Sequence, residues 1–198
     1  MDQDFRYVLA SASPRRKELL GMLGISFDII PSDAEEELDG LAPSELVERL
    51  SYAKASDVYS KLTENDGYGI DRLVVIGADT VVYCGGRILG KPSDVQEAEE
   101  MLRLLGGRVH EVYTGVSLIW GCGNHRVFHT VTEVDVCRLS DDEIRAYIDT
   151  GEPFDKAGAY GIQGPFMKHV RKISGDYNNV VGLPVSALYS NMKEAGLL

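Results

Sequence analysis

The sequence predicts an α/β fold on a mixed, twisted sheet, and three observations carry that reading. Short branched apolar runs such as Leu73 to Ile76 alternate with stretches of helical period. Their order is irregular, which departs from the steady strand–helix rhythm of a doubly wound sheet. Cys84-Gly85-Gly86 sits between two apolar runs as a hairpin turn would. The 198 residues suit one domain, spanning 1–198, with ample length for a core.

Taken in order, Phe5 to Ala10 reads as a buried strand. Ser13 as N-cap and Pro14 at the first position open a helix over Arg15 to Leu23, with Leu19, Leu20 and Leu23 as its stripe and Gly24 as its stop. Ser26 to Ile30 is a second strand, stopped by Pro31, and Asp33 to Gly40 an acidic loop. Pro43 opens a longer helix to about Leu62, in which Leu46, Val47, Leu50, Ala53 and Val58 keep the period, and Asn65 to Gly69 is a loop. Leu73 to Ile76 is a central strand followed by a turn at Gly77 to Thr80, and Thr80 to Tyr83 and Arg87 to Leu89 flank the hairpin turn.

Ser93-Asp94-Val95-Gln96 reads as a capping box opening a helix that ends at Gly106-Gly107. Val109 to Trp120 and Arg126 to Leu139 are long strands joined near Gly121 to Asn124. Ser140-Asp141-Asp142-Glu143 is a second capping box, with Thr150-Gly151 closing its helix. Gly158 to Gly164 is a glycine-rich loop, Phe166 to Ile173 a strand, and Leu183 to Ala195 a terminal helix with Pro184 near its start.

Thirty-one acidic against 20 basic residues give a net charge of −11. That balance argues against holding polymeric nucleic acid or an anionic membrane by bulk charge. A small phosphorylated ligand still fits, if a few cations are gathered at one place. Three cysteines are too few for a disulfide framework, and no apolar run approaches a membrane span. A soluble cytoplasmic protein with reduced thiols is expected.

Ser11-Ala12-Ser13-Pro14-Arg15-Arg16 lies between a strand and a helix, where free N–H groups, hydroxyls and two guanidinium groups suit phosphate oxygens. An ordinary Ser-Pro helix start with solvated arginines explains the same residues. Asp79, after a buried strand, stands where α/β proteins place function, and its carboxylate can hold Mg²⁺ or take a proton from water. Lys54 and Lys91 each read alone as solvated lysines, and Gly90-Lys91-Pro92 is not a P-loop. The acidic loop with Asp33, Glu35 and Glu36 reads alone as a solvated face. In Asp155 to Gly164, small residues beside Gln163 would let an amide meet the N3–H and O4 edge of uracil or thymine; a flexible surface loop is the plainer reading. Cys122, His125 and His129 lack a fourth ligand and a standard zinc spacing.

Together these motifs resemble the Maf family of nucleotide pyrophosphatases. Leu9-Ala10-Ser11-Ala12-Ser13-Pro14-Arg15-Arg16-Lys17-Glu18-Leu19-Leu20 looks like its opening signature. Gly77-Ala78-Asp79-Thr80-Val81-Val82, Gly90-Lys91-Pro92, Tyr113-Thr114-Gly115-Val116, Asp155 to Gly164 and Gly175 to Pro184 resemble its later ones, in the family's order. The resemblance implies a mixed sheet with two lobes around a deep cleft, similar to the inosine triphosphatase type, often in a homodimer. It implies hydrolysis of nucleoside triphosphates to monophosphate and pyrophosphate with Mg²⁺ or Mn²⁺. The family's catalytic carboxylate falls on Asp79, which also serves as metal ligand, with acids from the loop holding Glu35 and Glu36. Its phosphate-side groups fall on Ser13, Arg16, Lys54 and Lys91. Its subfamily positions fall on Arg15, Thr80 and Gln163, and match the dTTP and UTP type in a house-cleaning role. Asp33 stands where many members carry Glu, and Pro165-Phe166 replaces a glycine-rich pair. Two other functions are weighed: a nucleotide-binding regulator of cell division, against which Asp79, Lys54 and Lys91 argue, and a purine-directed pyrophosphatase, against which Gln163 and Thr80 argue.

Overall fold

The computed structural model describes residues 5–34, 40–64 and 69–198. Among these, the strands are β1 (Arg6–Leu9), β2 (Phe27–Ile29), β3 (Leu73–Cys84), β4 (Arg87–Leu89), β5 (Val109–Trp120), β6 (Asn124–Val136) and β7 (Val170–Ser174). The helices are α1 (Pro14–Gly21), α2 (Pro43–Glu64), α3 (Val95–Leu105), α4 (Asp141–Ile148), α5 (Tyr177–Val181) and α6 (Val185–Glu194). Strands pair in the order β2-β1-β3-β5-β6-β7, with β4 on β3. The sheet is mixed: β1 runs parallel to β2 and β3, while β3–β4 and β6–β7 are antiparallel. No helix among the described residues is long and apolar enough to cross a membrane. The chain divides into two compact units, residues 1–79, 114–130 and 182–198 in the first, and 80–113 and 131–181 in the second.

In the first unit, Tyr7 of β1 faces Phe27 on one side and Val74 on the other. Val8, Ala10, Val75 and Ile119 form a core with Ala55, Val58 and Leu62 of α2. Helix α2 lies unusually close to the strands. A Cβ added to Gly77 of β3 would lie 2.2 Å from the Ser51 carbonyl oxygen and 2.8 Å from the Ala55 nitrogen. One added to Gly115 of β5 would lie 2.2 Å from the Val47 carbonyl oxygen. Two family-signature glycines are thus where a helix backbone rests on strands, the close approach that a side chain forbids. Between them, the hydroxyls of the buried Ser51 and Ser117 bond at 2.8 Å.

This contact corrects the expectation of a turn at Gly77 to Thr80. β3 runs unbroken through twelve residues, and Asp79 lies within it. The missing side chain at Gly77 makes room for α2 and does not end the strand.

The second unit packs α3 and α4 through Leu102, Leu105, Ile144, Tyr147 and Ile148 against Val82, Leu89, Val112 and Val134. The β3–β4 hairpin turns at Gly85 and Gly86, with φ of 57° and 81°, the pair of positive values that a two-residue turn needs. The box at α4 forms as expected, Ser140 and Glu143 capping reciprocally. At α3 it shifts by one residue. Asp94, whose carboxylate accepts from Glu97 N–H at 2.8 Å, is the N-cap, and Glu97 reaches back to Ser93. The Ser93 hydroxyl instead donates to Glu97 Oε2 at 2.7 Å, which leaves the cap to the Asp94 carboxylate. Phe166 to His169, expected as the first part of a strand, form 3₁₀ turns after Pro165 before β7 begins, and α5 forms where no element is expected.

His110 is 2% exposed in this core, and burial pulls its imidazole down to about 4. Below the unfolded value of about 6.5 the unfolded chain takes up a proton that the folded one refuses, so stability falls as pH drops from 6.5 toward 4. At pH 5 the loss through this residue is about 2 kcal/mol. Urea unfolding at pH 7 and pH 5 is expected to show it, and His110→Phe to flatten the slope. An unchanged slope would mean that His110 titrates normally in the folded chain.

Candidate active site

The first unit holds the opening signature and the carboxylate of the third strand. Gly77 and Asp79 are two residues apart on β3 and so share a face. Helix α2 rests its Ser51–Ala55 turn on Gly77, and Lys54 belongs to that turn. Its Nζ therefore reaches Asp79 Oδ1 at 2.6 Å. Both side chains are largely buried, with 15% and 11% of their surfaces exposed. In so dry a place the attraction between the two charges offsets part of the cost of burying them.

At the start of α1, Ser13 caps the helix through its side chain, accepting from Arg16 N–H at 3.5 Å. Ser13 N–H itself donates to Ser11 Oγ at 3.2 Å. Two amide donors that the sequence offers to an anion are thus turned onto hydroxyls of the chain. The Arg16 guanidinium is oriented from two sides. Its Nε donates to the Gly182 carbonyl at 2.9 Å and its Nη1 to Ser11 Oγ at 3.3 Å. Gly182 sits at φ 125°, and it belongs to the last family-like run, Gly175 to Pro184. That run acquires a role the sequence did not disclose, as an anchor for Arg16. Arg15 is half-buried beside it.

In the second unit, Thr80 follows Asp79 directly along β3. Lys91 is exposed after β4, and Gln163 is exposed at the end of the glycine-rich stretch. The Gly158 N–H donates to the Gly90 carbonyl at 2.9 Å, which ties the Lys91 segment to the stretch that carries Gln163. That stretch differs from a flexible surface loop: Gly158 to Ile162 are buried, Ala159 completely. A Cβ on Gly158 would meet Val82 Cγ2 at 2.9 Å.

The structure therefore brings Lys54 to Asp79 and Arg16 to Ser11. Glu35 and Glu36 lie outside the described residues. Among those described, no group of three or more His, Cys, Asp or Glu is placed to hold a metal ion. His125 packs edge-on against Tyr52, and His129 Nδ1 meets Glu48 Oε1 at 2.7 Å, so the histidines near Cys122 are engaged by α2.

The sequence model of the Maf-like protein family matches residues 6–195. A dTTP/UTP pyrophosphatase of Carboxydothermus hydrogenoformans is 50% identical over 189 residues, 95% of this chain and 97% of its own. One of Agathobacter rectalis is 46% identical over 199 residues, 96% of this chain and 97% of its own. In fold, a HAM1 protein from Coxiella burnetii aligns with 96% of this chain and 99% of its own at a TM-score of 0.51, with 15% identity.

Proposed function

The chain belongs to the Maf family, and from that premise we propose that it is a cytoplasmic nucleoside triphosphate pyrophosphatase, hydrolysing dTTP and UTP to monophosphate and pyrophosphate. The observation that carries this reading is the buried Lys54–Asp79 pair, a carboxylate held in place on a continuous strand. The curated relatives, named dTTP/UTP pyrophosphatases over nearly their whole length, supply the substrate class. A house-cleaning role fits such chemistry.

A triphosphate brings nearly four negative charges to a chain that already carries −11. Binding then depends on local cations. Arg16, aimed by Gly182 and Ser11, serves the phosphates together with Lys91, and Ser13 lends its position at the helix start. Mg²⁺ or Mn²⁺ fits the hard oxygen of Asp79, because such ions are commonly held by one or two carboxylates plus substrate phosphates. Glu35 and Glu36 are the further acids expected to hold it. When bound, the ion supplies charge neutralisation on the phosphate oxygens.

Asp79 orients a water toward the α-phosphorus and accepts its proton. Lys54 holds Oδ1 and so fixes the direction of the carboxylate. Lys91 stabilises charge on the departing pyrophosphate. Gln163 reads the base, its amide accepting from N3–H and donating to O4, with Arg15 and Thr80 completing recognition.

Two expectations test these roles. In calorimetry, Lys91→Ala and Arg16→Ala weaken triphosphate binding by roughly tenfold or more, while nucleoside binding changes little. Exposed Lys193→Ala serves as the control; equal effects at Lys91 and Lys193 would remove Lys91 from phosphate binding. In steady state, dTTP and UTP exceed CTP by at least about tenfold in kcat/KM, since cytosine presents the opposite donor pattern. Gln163→Glu, lacking the donor, erases that preference. Strong CTP hydrolysis by the native protein would show that the base is read elsewhere.

A further inference from the structure

A glutamine amide reads a pyrimidine edge well only if the backbone that carries it holds it at one distance and angle from the base, because both hydrogen bonds must form at once. Gln163 is exposed, so where its side chain starts is set by the backbone that carries it. The backbone leading to it is held with unusual thoroughness. Ala159, at φ 59°, is the non-glycine residue of the described chain in the left-handed region, directly after Gly158 at φ 70°. Such a conformation persists where surrounding structure over-determines it, and it concentrates at binding sites.

The restraints here are specific. Gly161 N–H donates to the Tyr147 hydroxyl at 3.1 Å, in the interior. The Tyr160 hydroxyl and His110 Nε2 meet at 2.8 Å, both residues buried. The rings of Tyr160 and Tyr147 lie 4.9 and 5.0 Å from that of Phe166, three residues beyond Gln163. Phe166 is 1% exposed. Gln163 thus lies between two anchors, the Tyr160–Gly161 backbone before it and the Phe166 ring after it. The two hydroxyls are costly to keep in an apolar core, where packing alone would be satisfied by phenylalanine. Burial keeps His110 neutral at physiological pH, so the contact is a neutral hydrogen bond.

We propose that Tyr147, Tyr160 and His110 are positioning residues for base selection, clamping the 158–164 backbone so that the Gln163 side chain starts from one fixed point and meets a pyrimidine edge at one distance and angle. The inference rests on Gln163 as the reader of the base, and it assigns selectivity to residues that touch no substrate.

The test compares dTTP with CTP in Tyr147→Phe, Tyr160→Phe, the double variant His110→Phe/Tyr160→Phe, and Gln163→Glu. Each single tyrosine variant is expected to lower the dTTP:CTP ratio of kcat/KM by about fivefold to tenfold, with kcat for dTTP changed by less than about threefold. Amide exchange at 161–163 is expected to speed up by about tenfold or more in Tyr147→Phe. The double variant, with no polar atom left unpaired, is expected to regain thermal stability without regaining selectivity. A purely structural role predicts the reverse: activity on both nucleotides falls together with the ratio kept, and that activity returns with stability in the double variant. If Gln163→Glu erases the ratio while both tyrosine variants keep it, the base reader stands and the clamp is overturned. If Gln163→Glu keeps the ratio, the base-reading role fails and the clamp falls with it. Should Tyr160→Phe not fold, Tyr147→Phe decides the outcome.

Discussion

Asp79→Asn is expected to lower dTTP turnover by about two to four decades while the protein stays folded. Asparagine preserves shape and keeps an oxygen for the Lys54 ammonium, now 2.6 Å from Oδ1. What disappears is the negative charge that takes a proton from water and holds a cation. The asparagine variant is a better probe than alanine. Alanine would remove the Asp79 half of that pair from beside Lys54, only 15% exposed, and a loss of fold would then mimic a loss of chemistry. Thermal unfolding run beside the kinetics separates the two. A folded Asp79→Asn protein with near-native turnover would remove Asp79 from the reaction.

Gly77→Ala is expected to destabilise the first unit by about 3 kcal/mol or more, at the top of the range for overpacking. The added methyl would sit 2.2 Å from the Ser51 carbonyl oxygen and 2.9 Å from Ala55 Cβ. The two nearest atoms are backbone of α2, so neither a rotamer change nor a side-chain shift relieves the clash. Helix α2 would have to move away from β3, carrying Lys54 from Asp79, so turnover falls in whatever protein remains folded. For a chain of this size the melting temperature is expected to drop by about 6–12 °C. Gly21→Ala is the matched control, because its added Cβ has nothing within 4 Å. A Gly77→Ala protein that melts with the native one would contradict the close packing of α2 on β3.

Local chemistry was readable from sequence wherever one segment decides its own structure. The Ser13 and Pro14 start of α1, the Ser140 and Glu143 box and the Gly85-Gly86 hairpin all depend on atoms within a few residues. The differences arise where distant chain decides or where the local signal is weak. Gly77 reads as a break in a strand until α2 is seen lying against it. Ser93 and Asp94 are adjacent candidates for one cap, and the choice turns on which carboxyl or hydroxyl the helix geometry presents. Pro165 opens 3₁₀ turns in a stretch whose apolar residues suggest a strand, and α5, at five residues, is too short to show a period.

The same division holds for the candidate site. Asp79, Lys54, Lys91, Arg16 and Gln163 were each singled out on residue type and signature. That Lys54 and Asp79 meet, 25 residues apart, follows from the packing of α2 on Gly77 and has no local signal. The anchoring of Arg16 by the Gly182 carbonyl spans 166 residues, and a carbonyl leaves no trace in residue type. The Tyr160–His110 contact, across 50 residues, joins a tyrosine from the glycine-rich stretch to a histidine that looked like ordinary strand sequence.

The most direct test of the account is the bond that breaks. Hydrolysis of dTTP in ¹⁸O-enriched water with Mg²⁺, followed by mass spectrometry of the products, distinguishes attack at the α-phosphorus from attack at the terminal one. The predicted result is ¹⁸O in dTMP together with unlabelled pyrophosphate, at a rate that CTP does not match. Release of labelled orthophosphate with dTDP, or no hydrolysis of dTTP and UTP at all, would contradict a pyrophosphatase built around Asp79.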